Sequence, residues 1–556
     1  MSWKIIDKYR RRIAEEHGGV VKGWGGKLTV CLVYPNHYRT GMSNLGFQAV
    51  YGLFNDHSDV VCERAFLPDK DELAEYRTGR KPLLSLESQK PLSDFDLVAF
   101  SVSFETDYLN IPIILSLARI PSFSSERDAS NPLVIAGGAA LFLNPEPIAD
   151  LLDLACIGEG EMLVPKLLEM LQVTEGLARR ELLLQAASIP GIYVPSLYRI
   201  EYAGEAVAAI TPLDDVPACV RRVWSDDLDM AGVGSRLFAP DTEFSGMYLI
   251  EVSRGCPRGC RFCAAGFIYE PYRQRSLESV KTQALSALAD HKKIGLVGAA
   301  VGDFKGIGEL CRSIADAGGA VSVASLRIDA LDDEMIRVLF ESGHKTISLA
   351  PEGPSQRLRD LVRKGINAGQ ILEACRRLVS HDILNLKLYF IIGLPTETMA
   401  DLDEMVSLVD AIRQLVTETA KGNKRLGQIT LSVNPFIPKP FTPLQWCGMA
   451  AVKELELKAA FLRKAVAGMP NVRFQMEGLK ESVIQALVSR GDRRLAKVIV
   501  NAAECGSLRK ATKENAMDME RLVTRTVPLE ERLPWDLICC ESRKRLVLEY
   551  RWALGQ

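Results

Sequence analysis

The chain has 556 residues, enough for roughly three to four domains of about 150 residues each. Hydrophobic residues make up 47% of it and charged residues 25%, which excludes a disordered chain, a collagen-like chain and a small disulfide-stapled domain. The 68 Lys and Arg nearly balance the 70 Asp and Glu. The net charge of −2 therefore does not indicate a nucleic acid or an acidic membrane as partner.

The amino-terminal segment MSWKIIDKYRRRIAEEHGG contains basic residues but lacks the apolar core and the small-residue cleavage site of a secretory signal. No run of about 18 apolar residues occurs, so we expect no transmembrane helix and no membrane as partner. The cysteines, 13 in number, are scattered along the chain, which favours free thiols in a reducing compartment. We therefore expect a soluble, cytoplasmic protein.

The first domain, residues 1–175, alternates short β-branched runs with helical patterns. This order is typical of βαβ units and predicts a Rossmann-like domain with a parallel sheet. The predicted strands include LTVCLVYP, VVCERAFLP, FDLVAFSVS, PLVIAGGAA and LACIGEGE. Several of them end in glycine- or serine-rich turns, where ligands of open α/β sheets bind. The alternative, which the sequence leaves open, is that these glycines only form tight turns.

A linking region follows at residues 176–245. Its first part alternates apolar and polar residues around Ala203-Gly204, which predicts a β-hairpin. The remainder is rich in Pro, Asp and Gly with weak periodicity, so we expect a connector there.

Residues 246–440 repeat a strand and a helix. The predicted strands are MYLIEVS, KIGLVGAA, AVSVAS, KTISLA, LKLYFIIG and QITLSVN. This repetition predicts a partial (β/α)6 barrel, whose active site lies at the carboxyl ends of its strands. The last region, residues 441–556, is rich in Ala, Leu and charged residues and is predicted to be a helical domain.

A cysteine motif follows the first barrel strand directly. Cys256, Cys260 and Cys263 have the spacing C-x3-C-x2-C within IEVSRGCPRGCRFCAAGF. Thiolates are the ligands of iron–sulfur clusters, and three of them leave one iron of a [4Fe–4S] cluster free to bind a small chelating molecule. The alternatives are three core cysteines or a zinc site, but structural zinc needs a fourth ligand, and no further Cys or His lies within 25 residues.

This motif, placed after the first strand of a six-unit barrel, resembles that of the radical S-adenosylmethionine (SAM) superfamily. The resemblance implies a cluster whose open iron chelates the amino and carboxylate groups of SAM. It also implies reductive cleavage of SAM to methionine and a 5′-deoxyadenosyl radical, and hence a low-potential electron donor such as flavodoxin or ferredoxin. Phe262, just before the third cysteine, matches an aromatic position of the motif and is expected near the adenine.

Other barrel segments resemble superfamily motifs one by one. The SAM contacts that this resemblance implies are Gly298 and Ala299 after the second strand, for the methionyl amino group; Ser325 and Arg327 after the third; Glu352 and Arg357 after the fourth, for the ribose or carboxylate; and Ile391 and Gly393 at the fifth, for the adenine. Taken singly, each segment is also compatible with an ordinary barrel turn or a solvated charge.

The first domain resembles the cobalamin-binding domain that one class of this superfamily carries ahead of the barrel. The similar segments are VYPNHYRTGMSNLGFQAVYG, SVSFETD, IAGGAALFLNPEPIADLLD and CIGEGE. The cobalamin contacts that we expect are Ser101, Ser103, Glu105, Gly137, Gly138, Gly158, Glu159 and Gly160. None of the 6 histidines stands in a D-x-H-x-x-G pattern, so cobalamin is expected without a histidine lower ligand. The alternative is a domain that has kept its fold and lost the cofactor.

Nearly the whole chain resembles an uncharacterised group of bacterial radical SAM proteins with such an amino-terminal domain. In the last region the similar segments are VNPFIPKPFTPLQW, LVSRGDRRLAKVI and LPWDLICCESRKRLVLEYRWAL. The first of these is also similar to the end of the barrel in methylthiotransferases that modify transfer RNA. The chain lacks their amino-terminal second-cluster cysteines, so we do not expect methylthiolation.

Two weaker features have plain interpretations. Cys539 and Cys540 are interpreted as packing residues of a helical tail. A basic face at helical spacing invites an RNA-binding interpretation, but the acids around it favour a solvated, ion-paired helix. This face consists of Arg490, Arg493, Arg494 and Lys497.

The sequence therefore predicts a radical SAM enzyme with a [4Fe–4S] cluster, SAM and cobalamin that methylates an unactivated carbon. The alternative is a cobalamin-free radical SAM enzyme that catalyses a rearrangement, a dehydrogenation or an RNA modification. A third interpretation, from a different class, is an iron–sulfur sensor or RNA-binding protein without turnover. RNA is thus one candidate partner, and the sequence does not determine the substrate or the oligomeric state.

Overall fold

The structure, a computed structural model, describes residues 3–79, 81–174, 176–323, 326–420, 426–539 and 542–555. Ser325 and Cys540, which the sequence singles out, lie outside these residues. Among the helices that the structure describes, none combines the length and the apolarity that crossing a bilayer requires.

The first domain contains the parallel sheet that its alternating pattern predicts. Its strands are β1 (Leu28–Tyr34), β2 (Val60–Phe66), β3 (Leu97–Ser101), β4 (Leu133–Gly137), β5 (Leu154–Cys156) and β6 (Ile192–Tyr193). They lie in the order β2-β1-β3-β4-β5-β6, and only the β5–β6 pair is antiparallel among these described strands. Strands β1 and β2 are buried along almost their whole length, as is typical of a sheet covered on both faces. The sheet continues to Tyr193, so the boundary predicted at residue 175 falls before its last strand.

Helices connect these strands. They are α1 (Trp3–Glu15), α2 (Tyr38–Met42), α3 (Leu45–Asn55), α4 (Lys70–Gly79), α5 (Ile111–Ala118), α6 (Ala139–Leu143), α7 (Gly160–Val173) and α8 (Arg179–Ala187). Asn44 caps α3 by accepting a hydrogen bond from the amide of Phe47, which fixes the start of that helix at the carboxyl end of the sheet.

The linking region forms the predicted hairpin. Strands β7 (Tyr198–Ala203) and β8 (Ala206–Pro212) pair antiparallel around Gly204, whose φ is +63°. A short helix, α9 (Leu228–Ala231), lies in the connector that leads to the barrel.

The second domain is a partial barrel of parallel strands that does not close. Its strands are β9 (Met247–Glu251), β12 (Lys293–Val297), β13 (Ala320–Val323), β14 (Thr346–Glu352), β15 (Asn385–Ile392), β16 (Ile429–Pro435) and β17 (Val472–Met476); a short ribbon, β10 (Ser253–Arg254) and β11 (Arg273–Gln274), flanks the cysteine motif. They form the sheets β13-β12-β9 and β14-β15-β16-β17, joined by a parallel bridge between Leu326 and Leu349. The barrel helices are α10 (Leu277–Ala287), α11 (Ile307–Asp316), α12 (Asp333–Glu341), α13 (Gln356–Leu361), α14 (Ala368–Ser380), α15 (Met399–Ala420) and α16 (Val452–Val466).

One strand of the barrel lies beyond the predicted boundary at residue 440. Strand β17 pairs in parallel with β16, from Ile429 opposite Val472 to Val433 opposite Met476. The region 441–556 is therefore not purely helical, because its first helix and strand complete another barrel unit. The remaining helices are α17 (Leu479–Arg490), α18 (Leu495–Cys505), α19 (Leu508–Glu514), α20 (Met519–Thr524) and α21 (Arg543–Leu554).

One cysteine pair contradicts the expectation of free thiols. Cys219 in the linking region and Cys539 before α21 form a disulfide, with their Cα atoms 5.4 Å apart. A parallel bridge between Val220 and Ile538 brings the two segments together. The packing role predicted for Cys539 was therefore wrong. The two residues are 320 positions apart, so no local pattern could have paired them.

The basic face of α17 and α18 is ion-paired, as its acidic neighbours predict. Arg493 Nε lies 3.1 Å from Glu146 Oε2, and Arg494 Nη2 lies 2.6 Å from Asp492 Oδ2. Arg490 instead donates hydrogen bonds to the carbonyl oxygens of Val523 and Arg525. Arg490 and Arg494 therefore make contacts within the last domain, and Arg493 connects it to the first domain.

Candidate active site

The predicted cluster cysteines lie on the loop between β10 and β11. Gly255, immediately before Cys256, has a φ of +83°, and a Cβ there would lie 2.8 Å from the carbonyl oxygen of Tyr269. Glycine therefore allows the tight turn that starts the loop. Cys260 is 7% exposed, and Cys256 and Cys263 are half-buried.

Backbone amides stabilise two of the three sulfur atoms. Burial raises the pKa of Cys256, and the amide of Arg258 opposes that rise. Burial raises the pKa of Cys263 to about 11, again against a hydrogen bond from an amide, that of Ala265. The neighbouring thiols raise both pKa values further, so the three sulfur atoms lie close enough to interact electrostatically. Hydrogen bonds to sulfur are a recognised feature of iron–sulfur cluster sites.

The loop fits a cubane cluster better than a single ion. Among the described residues, no three His, Cys, Asp or Glu side chains are placed to hold one metal ion together. A [4Fe–4S] cluster does not require that arrangement, because each cysteine binds a different iron. Gly259, Ala264 and Ala265 have no side chain or a small one, so they add little bulk to the short loop that would wrap such a group.

Two arginines border the cysteine loop. Arg258 is ion-paired with Asp303, and its Nη1 lies 3.2 Å from Asp329. Arg327, an expected SAM contact, pairs with Asp329 at 3.0 Å. Burial has the largest effect on the pKa of Cys256, but the charge of Arg327 lowers it. The structure thus brings Arg327 to the cysteine loop, with its guanidinium already bound to an acid.

Glu352 lies beside the same loop. Its φ is +64°, a left-handed conformation that costs free energy for any residue other than glycine. Burial raises the pKa of its carboxyl, while the ammonium of Lys364, 3.5 Å away, opposes that rise. Besides burial and the other thiols, this carboxylate raises the pKa of Cys263, which locates it next to the sulfur atoms. A half-buried, strained acid at the end of a barrel strand is typical of a functional position.

Further expected SAM contacts lie at the barrel mouth. A Cβ at Gly298 would lie 2.8 Å from Ser253 Oγ, so a larger residue there would displace the Ser253 hydroxyl. Ile391 lies in register with Asn434, whose Oδ1 is buried without a hydrogen-bond partner among the described residues. An unpartnered buried acceptor at the carboxyl end of a strand fits a polar ligand. Phe262 is half-buried and packs against the hydrophobic core.

Arg357 and Gly393 have other contacts. Arg357 Nη2 lies 2.6 Å from Asp401 Oδ2, and both of its terminal nitrogens donate to Thr396. Gly393 has a φ of +73°, and a Cβ there would lie 2.8 Å from Leu455 Cδ2. These two residues join the loops after β14 and β15 to the rest of the chain, and as SAM contacts they stay predictions.

A cavity of about 490 Å³ lies between the first domain and the barrel, at the carboxyl ends of the strands of both. This volume is in the usual range for a small-molecule site. The expected cobalamin contacts on its wall are Ser101, Ser103, Gly137, Gly138, Gly158, Glu159 and Gly160, and Gly298 and Ala299 face it from the barrel. The cavity also reaches Gly255, the neighbour of Cys256. It is therefore continuous with the start of the cysteine loop.

The cavity wall is mostly apolar, and its polar groups are few. Leu45, Phe142 and Leu167 supply apolar surface, and the amide of Asn44 donates to Ser103 Oγ at 2.9 Å. No histidine belongs to the wall within the described ranges.

The glycines of this wall form tight turns, and as cobalamin contacts they stay predictions. Gly138 has a φ of +112°, and a Cβ there would lie 2.5 Å from the carbonyl oxygen of Val102. A Cβ at Gly158 would lie 2.6 Å from the carbonyl oxygen of Val223. Backbone packing requires these glycines, and their lack of side chains leaves the strand ends open to the cavity.

Glu105 lies away from the cavity wall. Its Oε1 accepts hydrogen bonds from Lys439 Nζ at 2.6 Å and from Ser489 Oγ at 3.2 Å. This carboxylate therefore ties the first domain to the exit of the barrel and to α17, and as a cobalamin contact it stays a prediction.

Sequence reasoning missed Arg254 and Arg273, which join the two domains. Their guanidinium groups lie 2.8 and 2.7 Å from the Glu159 carboxylate. Arg254 also pairs with Glu161 at 2.5 Å and with Glu251 at 2.9 Å. Burial raises the pKa of Glu159, but the arginines outweigh it and hold the pKa below its ordinary value. The position of Arg254 beside the cysteine motif could have drawn attention to it, but its partners in the first domain, Glu159 and Glu161, lie far away in sequence.

Comparisons with known proteins decide the family. A model of the radical SAM superfamily matches residues 250–409, and a model of the amino-terminal region of radical SAM proteins matches residues 46–195. An uncharacterized protein of Methanocaldococcus jannaschii is 30% identical over 498 residues, which are 88% of this chain and 94% of that protein. The chain belongs to the radical SAM superfamily. The radical SAM protein described here is thus an enzyme of a family that uses a [4Fe–4S] cluster to cleave SAM.

Other relatives match only part of this radical SAM protein. The ribosomal-protein methylthiotransferase RimO of Leptospira biflexa is 28% identical over 176 residues, 30% of this chain and 39% of RimO. Among solved structures, the cobalamin-dependent SAM radical enzyme OxsB with aqua-cobalamin and SAM bound is similar over 72% of this chain and 56% of that chain, with 16% identity and a TM-score of 0.44.

Proposed function

We propose that this radical SAM enzyme is cobalamin-dependent and methylates an unactivated carbon of its substrate, with Cys256, Cys260 and Cys263 as the cluster ligands. The observation that carries the proposal is the cavity shared by the two domains. It joins the strand ends of a Rossmann-like sheet to the start of the cysteine loop. A cofactor in the first domain would therefore face the barrel mouth, where SAM and substrate would bind.

The cluster with SAM would supply a radical that removes a substrate hydrogen, and cobalamin would supply the methyl group. The protein's own residues bind, orient and exclude water. The three cysteines would hold the cluster, with the amides of Arg258 and Ala265 donating to sulfur. Arg327, Glu352 and Ile391 would contact SAM, and Gly298 and Ala299 would let it approach the barrel wall.

Two features of the cavity are compatible with a corrin. Its glycine strand ends form an open shelf, and its apolar side chains would exclude water from the upper face of a flat ring. Its Asn44–Ser103 pair offers hydrogen bonds for amide side chains at the rim. The residues of the described wall that would hold a corrin include no histidine.

The first test is the cofactor content of protein purified without oxygen from cells supplied with hydroxocobalamin. Iron, sulfide and corrin are quantified in one sample, together with its visible spectrum. About four irons with near-stoichiometric corrin are expected. Four irons without corrin would overturn the cobalamin proposal and leave a cobalamin-free radical SAM enzyme as the function to pursue.

Catalytic turnover distinguishes a radical SAM enzyme, with or without cobalamin, from a sensor that only binds the cluster. Incubation with SAM and dithionite is expected to release 5′-deoxyadenosine and methionine. A protein that binds about four irons and SAM but releases neither product would not be a radical SAM enzyme in function.

A further inference from the structure

The last helix lies across the outer side of the cysteine loop. Glu549 Oε2 on α21 lies 2.8 Å from Arg261 Nε, and Arg261 directly follows Cys260. The same helix places Arg545 over the ring of Phe267, 5.6 Å from its centroid, near the end of the loop. Helix α21 is therefore separated from the expected cluster position by little more than the loop itself.

The outward face of this helix is cationic and apolar. Leu548 is 51% exposed and Trp552 is 66% exposed, and Lys544 and Arg551 are exposed on the same stripe. The spacing i, i+4, i+7 and i+8 places these residues on one side of the helix. Neither Lys544 nor Arg551 has an ion pair within the described part of the chain.

Such a face has the composition of a protein-binding surface. Trp and Arg are enriched at the energetic centres of interfaces, and exposed apolar side chains flanked by charges mark contact sites. Because both unpaired charges are positive, the complementary partner carries excess acidic residues around an apolar centre.

The position of the face indicates what that partner does. The opposite side of the loop is covered by the first domain, where Phe142 packs 5.9 Å from Tyr269 and Arg254 pairs with Glu159. On the other side, α21 contacts the loop through Arg261 and Phe267, so a protein docked on this helix would lie a short distance from the cluster. A short distance favours electron transfer, because its rate falls steeply with distance.

We propose that Lys544, Leu548, Arg551 and Trp552 form the docking surface for an acidic one-electron carrier protein that reduces the cluster. The inference rests on the proposed cluster at Cys256, Cys260 and Cys263. The carrier is oxidised by one electron and the cluster is reduced by one, and no bond forms or breaks in this step.

The test uses the cluster-loaded full chain, the double variant Lys544→Glu/Arg551→Glu and a matched control, Lys480→Glu/Arg509→Glu. The control reverses the charge of one exposed lysine on α17 and one exposed arginine on α19, away from the cysteine loop. The probe is flavodoxin, and its dissociation constant is measured by calorimetry at low and high salt.

We expect the α21 variant to bind flavodoxin about tenfold more weakly at low salt, and high salt to reduce this difference. With flavodoxin reduced enzymatically by NADPH, formation of 5′-deoxyadenosine should fall several-fold in the α21 variant and not in the control. With dithionite, which needs no docking, all three proteins should form it at the same rate.

Equal flavodoxin affinity in all three proteins, or an equal loss in the control, would overturn the docking surface. If the unmodified protein forms no 5′-deoxyadenosine even with dithionite, the proposed function fails. The dissociation constants for flavodoxin would still test the docking surface in that case. If the double charge reversal lowers the iron content, the single variants Lys544→Gln and Trp552→Ala, which perturb the helix less, replace it. Their flavodoxin affinity and 5′-deoxyadenosine formation are then compared with the control in the same way.

Discussion

Arg254 Nη1 lies 2.8 Å from Glu159 Oε2, and this ion pair links the residue two positions before the first cluster cysteine to the wall of the cavity in the other domain. The two side chains are 10% and 5% exposed. A buried pair of this kind fixes orientation more than it adds stability, because removing one partner leaves an uncompensated charge. We therefore expect this pair to help set the relative orientation of the two halves of the site.

Substituting Arg254→Met should test that dependence. Loss of the guanidinium removes a positive charge that neutralises the carboxylates of Glu159 and Glu161. We therefore expect a decrease of about 3 kcal/mol in the free energy of unfolding. Corrin content should fall more than iron content, because the cavity spans both domains. Urea unfolding and metal analysis measure these effects.

The matched control is Arg180→Met, which breaks an exposed pair with Asp214. It should cost less than about 1 kcal/mol and leave both cofactors in place. If both variants lose the same stability and keep the same corrin content, Arg254 does not set the domain orientation.

Substituting Cys256→Ala should remove the cluster. Three thiolates are the protein ligands available to it, so iron should fall from about four per chain to near zero, and SAM cleavage should cease. Cys505→Ala, at a half-buried thiol in the last domain, should keep both. Formation of 5′-deoxyadenosine by the Cys256 variant would contradict the assignment.

Substituting Gly138→Ala should destabilise the protein at the cavity wall. The backbone there has a φ of +112°, and the added Cβ would lie 2.5 Å from the carbonyl oxygen of Val102. We expect a loss of about 1–3 kcal/mol by thermal or urea unfolding. Gly468→Ala, where nothing lies within 4 Å of the added Cβ, should change stability by less than about 0.5 kcal/mol. Equal effects would show that the turn at Gly138 can relax.

The carboxyl group of Asp401 should make the free energy of unfolding depend on pH. Burial raises the pKa of its carboxyl, but hydrogen bonds from Arg357, Ser355 and Thr398 outweigh that effect and lower the pKa to about 2. Because the folded pKa is below the unfolded one, the stabilisation is present above pH about 4 and is lost as the pH falls towards 2.

The variant Asp401→Asn should therefore be about 1–2 kcal/mol less stable than the unmodified protein at pH 6. The difference should shrink between pH 4 and 2, as measured by urea unfolding at each pH. A difference that is constant across this range would show that the carboxylate charge contributes nothing.

The sequence by itself determined the features that depend on neighbouring residues. Alternating patterns of strands and helices predicted the parallel sheet, the open barrel and the hairpin around Gly204, because each element buries one face through its own periodicity. The cysteine spacing predicted the cluster loop, since all three ligands lie within eight consecutive residues of one turn.

Only the tertiary structure decided which groups meet across the chain. Glu105 and Arg357 have the chemistry of ligand contacts, but the structure pairs them with Lys439 and Asp401. Cys219 meets Cys539 across 320 positions, and β17 joins the barrel from a region expected to be helical. A charged or thiol group interacts with whatever the fold brings within a few ångströms, and that choice depends on the packing of distant elements rather than on the local sequence pattern.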